Sequence, residues 1–291
     1  MFTLILLFFV YIFIIGFLTI LERKILGLMQ NRLSVFKNSF LSLYHFYLDF
    51  FKVFFKGNFG KEFKKFSNYL FLLVLIFLFN LFEFYFLIFG FKFDKFFFNI
   101  LIIYLLIEGL IMILKILILN TIKSTYISIT IFRIKWLYIL LEGFFSYIIF
   151  FNLIILNYIK YYKLNLQLIL LLIFIFYIII LLKIFRNPFD FFEVESELTG
   201  GIVLEFKGIS FLLWSLFEYS SIFNSHLFLI YILSLYMKSN IINYIFIFIF
   251  LLTLTFIIRG VFIRFKYYST ICLICFLYYL INLIFLFIWF F

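Results

Sequence analysis

Stretches of roughly twenty consecutive apolar residues, long enough to cross a bilayer as a helix, recur along this chain and constrain its fold more than any other feature. Eight of them can be placed, over residues 2–21, 69–91, 96–120, 134–156, 166–182, 208–237, 241–258 and 269–291. Backbone amides and carbonyls find no water in lipid, so each run must satisfy them internally as a helix. Hydrophobic residues make up 68% of the chain, against about 45–50% in a soluble domain. With 54 Phe and 21 Tyr spread over all 291 residues, no single soluble core could hide the apolar surface. The expectation is an all-α, polytopic membrane protein, a single membrane domain over residues 1–291. The first run lacks a basic leader and a small-residue cleavage site, so it is expected to stay as a retained span beginning at Met1.

The formal net charge is +11, a value that in a soluble domain would point to nucleic acid. Here no soluble basic domain exists to carry it, and the charges belong to loops, so no nucleic acid partner is expected. Basic residues stay on the side from which helices insert. Of the 24 Lys and Arg, 19 fall on the side of the loops after spans one, three, five and seven, counting Lys115 and Lys135, which blur the ends of spans three and four. That asymmetry supports eight spans, an outer amino terminus and large inner loops. One inner segment, about 36–56, is too polar to cross lipid. Its His45, Asp49, Lys52 and Lys56 recur at helical spacing and form one polar stripe. The stripe either faces solvent on an amphipathic interfacial helix or lines a cavity.

Carboxylates inside spans are costly, roughly 2.5–3.5 kcal/mol at a helix centre on insertion scales, and need partners or water. Glu83, Glu108, Glu142 and Glu218 all lie within apolar runs. Structural ion pairs between helices are one reading. A proton or ion path through a polar interior is favoured for a set this large. The inner loop 183–207, KIFRNPFDFFEVESELTGGIVLEFK, concentrates Asp190, Glu193, Glu195, Glu197 and Glu205 in a basic protein. Asp190 and Glu193 have capping-box spacing after Pro188, and Gly200-Gly201 would break a helix begun there. The alternative is a solvated acidic connection. Cys272 and Cys275 form a lone C-x-x-C in a lipid-facing run, without the further ligands of a metal site. No nucleotide loop, nucleophile elbow or zinc motif is found. The chain is therefore expected to carry no metal, no redox centre of its own and no catalytic nucleophile.

Several spaced motifs together resemble chain 1 of NADH:ubiquinone oxidoreductase, respiratory complex I, and its bacterial counterpart. LTILERKILGLMQNR, ending at Arg32, resembles the family's first inner motif, and Asp49, Lys52 and Lys56 match its D-x-x-K-x-x-x-K. Tyr126, Arg133 and Glu142 follow its fourth span. RNPFDFFEVESELTGGIVLEF resembles its acidic loop, Glu218-Tyr219 its sixth span, and Arg259, Arg264, Phe265 and Tyr267 its last inner loop. The resemblance implies a core membrane subunit at the junction of the membrane and peripheral arms. It would form the ubiquinone chamber and couple quinone reduction to proton translocation. Arg23, Asp49, Glu193, Glu195, Glu197 and Arg264 would border the quinone chamber. Glu142, Glu218, Glu108 and Lys183 would belong to the proton path. The substrate would be ubiquinone, while NADH, FMN and iron–sulfur clusters would sit in partner subunits. The remaining partners would be other membrane-arm and peripheral-arm subunits and lipid.

Departures from the family pattern concentrate on that path. The family's glutamate three residues before Arg186 is here Lys183, so Glu83 or Glu108 is expected to take its place, paired with Lys183 or Lys115. Leu33-Ser34-Val35-Phe36 replaces a Gly-Pro, Val194 a Gly, and Ile263 a Pro. One proline, no alanine, and abundant Phe, Ile, Lys and Asn fit an AT-rich organellar genome and a place in the inner mitochondrial membrane. Two other classes compete. A secondary transporter predicts repeated halves with broken helices, which the sequence lacks, and a structural anchor predicts that the buried acids can be neutralised without loss of turnover.

Overall fold

The computed structural model describes residues 2–32, 48, 51–52, 63–90, 103–104, 106–107, 109–111, 113–114, 174–182, 188–189, 209–236, 241–263, 265 and 267–290. Among them every regular element is a helix and none is a strand. Five helices have defined ends: α1 (Phe2–Met29), α2 (Phe63–Gly90), α3 (Ile209–Tyr236), α4 (Ile241–Val261) and α5 (Tyr267–Phe290). Residues 174–182 are also helical, as are the described positions between 103 and 114. Four segments, Leu6–Met29, Leu70–Ile88, Ile209–Ser234 and Ile242–Val261, are long and apolar enough to cross a membrane.

The expected span at 2–21 proves shorter than its helix. α1 runs eight residues further because Ile25, Leu26, Leu28 and Met29 keep the pattern apolar beyond the charged Glu22-Arg23-Lys24. It ends by a specific device. Asn31 adopts a left-handed φ of 51°, and the Arg32 amide donates to the Gly27 carbonyl at 3.0 Å while the Asn31 amide donates to Leu28 at 3.3 Å. This pair of bonds is the Schellman arrangement, which satisfies carbonyls that a helix end leaves open, with Asn in the place that Gly usually takes. α2 likewise begins before its expected span at 69, and α4 runs past 258 to Val261.

α3 is the hub of the described bundle, packed against α1, α2 and α4, while α1 also packs against α4. Its place follows from its sequence. It carries Ser210, Ser215, Ser220, Ser221, Asn224, Ser225, His226 and Ser234, and polar side chains in lipid turn toward protein. Accordingly 78% of its spanning window is buried, against 17% for α4. Five of its serines return their hydroxyl proton to a carbonyl one turn back, as in Ser220 to Phe217 at 2.7 Å and Ser225 to Ile222 at 2.9 Å.

Between these helices the packing is aromatic. Tyr11 lies 4.5 Å from Phe84, centroid to centroid, and both rings approach Phe223. Tyr104 stacks flat on Phe228 at 4.0 Å, which docks the 103–114 segment on α3. Tyr177 meets the His226 ring edge-on at 6.2 Å and docks the 174–182 helix there. Since lipid tails are as apolar as Leu, this close dispersion packing, and not hydrophobic burial, drives such helices together. The outward faces present Phe9, Phe71, Phe246 and Phe276, as a lipid solvent requires.

Candidate functional site

Among the described residues, two polar clusters join helices of this apolar bundle, one at the carboxyl-terminal ends of α1 and α4 and one deeper within it. At the first, Glu22 forms an ion pair with Arg259. Glu22 is 1% exposed and the Arg259 side chain 26%, so a carboxylate sealed between helices meets a guanidinium that still reaches the edge. The next residue along α4 explains how the helices come so close. A Cβ on Gly260 would sit 2.9 Å from Met29 Sδ and 3.2 Å from Leu26 Cδ2. Both contacts are at the same end of α1, so α1 and α4 run parallel with their carboxyl-terminal ends on one side. That is the inner side in the topology read from charge.

Just beyond α4 a second junction forms. The Phe265 amide donates to the Pro188 carbonyl at 2.8 Å, and the rings of Phe265 and Phe189 lie 5.5 Å apart. The start of the acidic-loop motif is thereby bonded to the last inner motif, which the Glu22–Arg259 pair ties to the first. Segments separated by more than two hundred residues thus converge at one end of the bundle.

The second region is reached about 16 Å along α1, eleven residues at 1.5 Å each. There the Tyr11 hydroxyl donates to Asn224 Oδ1 at 3.2 Å. The Asn224 amide nitrogen donates to the Asn80 carbonyl at 2.8 Å and to Glu83 Oε2 at 3.1 Å. One side-chain amide thus bridges α1, α2 and α3, and Asn80, Glu83 and Asn224 are each at most 2% exposed.

Of the residues expected from sequence, Arg23 is exposed beside buried Glu22, and Lys52 is exposed. Glu218 is half-buried on α3 and accepts the Trp214 indole proton at 2.6 Å. It stands six residues before Asn224, about 120° around the helix, so the two serve different faces. His226 donates from Nδ1 to the Ile222 carbonyl of its own helix at 2.7 Å. Asp49, Glu193, Glu195, Glu197, Arg264, Glu142, Glu108 and Lys183 lie outside the described residues, as do most of the polar stripe and all of the acidic loop save Pro188 and Phe189. Sequence reasoning missed the Glu22–Arg259 pair and Asn224, which bonds Glu83 and is held in turn by Tyr11 and the Asn80 carbonyl. Polar amides inside apolar runs were the available signal for the latter.

The described helices and their two buried polar clusters define a helical membrane protein that buries ionisable side chains between its helices. The family model described as NADH dehydrogenase matches residues 2–290. The chain belongs to that family, chain 1 of complex I, and is a membrane subunit of the multi-subunit NADH dehydrogenase.

Proposed function

We propose that this chain encloses the ubiquinone chamber of the complex and couples quinone reduction to proton translocation across the inner mitochondrial membrane. The observation that carries the reading is the convergence of three motif segments at one end of the bundle, through Glu22–Arg259 and the Phe265 to Pro188 bond. Arg23, exposed on the last turns of α1, and Arg264, next to Phe265 in sequence, supply cationic groups to bind and orient a reduced, anionic quinone headgroup. Asp49, Glu193, Glu195 and Glu197 border the same chamber. The chain itself supplies no redox centre, and electrons reach the headgroup from NADH through flavin and iron–sulfur groups of partner subunits.

The coupling logic is electrostatic. Charge developing on the headgroup acts on the acidic loop, and the loop in turn on the membrane carboxylates Glu142, Glu218 and Glu108, with Lys183 at the place of the usual acid. Composition favours an organelle-encoded chain.

A photoreactive ubiquinone analogue added to the native complex tests the chamber. Cross-links mapped by mass spectrometry are expected on peptides from 19–32, 183–207 or 259–267. Labelling confined to partner subunits, or to the lipid-facing residues of α4 and α5, would contradict it.

A further inference from the structure

The face of α3 turned away from Asn224 carries a polar pair that neither the chamber nor the membrane carboxylates use. Asn224 and His226 are two residues apart, about 200° around the helix. While Asn224 serves α1 and α2, His226 meets the 174–182 helix, where its ring lies edge-on to Tyr177 at 6.2 Å. We infer that His226 Nε2 and the Tyr177 hydroxyl hold a single buried water between these two helices. The inference does not depend on the chamber or the coupling reading.

Three observations combine. Both side chains are sealed in, His226 at 0% and Tyr177 at 6% exposed. His226 satisfies one of its nitrogens within α3, since Nδ1 lies 2.7 Å from the Ile222 carbonyl. A carbonyl only accepts, so Nδ1 carries a proton. The other nitrogen, Nε2, meets no hydrogen-bond partner among the described residues, and neither does the Tyr177 hydroxyl. The two rings share one helix interface, yet their polar atoms do not bond each other.

A buried polar atom without a bond is expensive, and lipid offers no water from outside to relieve it. Buried waters take up such groups where at least two polar partners converge. One water fits both ends here. With the proton on Nδ1, a neutral His226 presents Nε2 as an acceptor, to which the water donates, and the phenol donates its own proton to the water oxygen. A metal ion fits less well, because no group of three His, Cys, Asp or Glu that could hold one stands among the described residues. Tyr177 precedes the acidic loop and His226 follows it, so the water ties together the two helices that flank that loop. A bridge of this kind is enthalpically nearly as good as a direct bond.

A density map of the native complex, at a resolution that shows ordered water, tests the site. The expected result is a compact peak about 2.7–3.2 Å from both His226 Nε2 and the Tyr177 hydroxyl. A direct bond between the two, a protein donor seated on Nε2, the elongated density of a lipid or detergent hydroxyl, or clear side chains with no peak between them would each overturn it. A second measurement reads the bridge from its coupling. The detergent-solubilised complex is heated and the midpoint for loss of NADH oxidation is followed for Tyr177→Phe, in the wild-type and in the His226→Phe background. Both replacements keep an aromatic ring at the contact. Tyr177→Phe is expected to lower the midpoint of the wild-type complex and to leave that of His226→Phe unchanged, because the water has already lost its second partner there. Equal shifts in the two backgrounds overturn the inference. Where a variant fails to assemble, the wild-type map decides.

Discussion

Two buried carboxylates of this chain, Glu22 and Glu83, sit 1% and 2% exposed, and each joins helices through a different kind of group. Glu22 is matched by the Arg259 guanidinium, charge against charge. Glu83 is met by an amide and, through it, a phenol. The first arrangement fixes two helices and punishes any change of charge. The second joins three helices through one side-chain amide.

The sharpest way to break the comparison is to remove the cation. Arg259→Leu takes the guanidinium away from a buried carboxylate, and breaking a buried pair in this way typically costs about 3–5 kcal/mol. The chain is expected to disappear from the assembled complex on native gels. Replacing both partners, as E22L/R259L, should restore more assembly than Arg259→Leu alone, because an apolar pair of similar volume is often neutral. A double variant as poor as the single one would show that Arg259 acts through some other contact.

At the interior cluster the losses should be smaller. Asn224→Leu removes three hydrogen bonds at once and is expected to lower stability by about 1–3 kcal/mol, read as a lower midpoint when the detergent-solubilised complex is heated and its NADH oxidation followed. Tyr11→Phe keeps the ring against Phe84 and Phe223 and loses the bond to Asn224, an interaction worth about 0.6 kcal/mol inside membranes. The same heating series should place it close to wild type.

The smallest effect is expected at the close approach of α1 and α4. Gly260→Ala puts a methyl against Met29 and Leu26, but both contacts are ends of flexible side chains. Their displacement offsets the roughly 0.8–1 kcal/mol that alanine contributes over glycine in a helix. Assembly should be unchanged, whereas Gly260→Phe should separate the helices and reproduce the loss seen on removing Arg259.

How far these regions were legible in the sequence depends on where their information lies. Hydropathy marks α3 at 208–237, and the helix occupies Ile209–Tyr236, because a continuous apolar run fixes a membrane helix locally. The end of α1 falls well beyond the expected residue 21. A cluster of charges reads as a span boundary unless one knows that Glu22 turns inward to Arg259 while Arg23 turns outward. The stop itself, a left-handed Asn31 after Met29 and Gln30, is weaker in sequence than a glycine would be. Within the site, Glu83 and Glu218 stand out as acids in apolar runs. Trp214 as the partner of Glu218 was within reach, lying one turn back on the same helix. Asn224 as the partner of Glu83 was not, since the two are 141 residues apart and only packing of α2 on α3 brings them together.

As a member of this family, the chain is expected to reside in a large NADH-oxidising assembly and not alone. Native membranes solubilised in mild detergent and separated on a native gel test it directly, with this chain identified by mass spectrometry. Comigration with NADH-oxidising activity in one very large species is the expected result. Migration as a small free species, in membranes where the NADH-oxidising assembly is intact, would contradict the account.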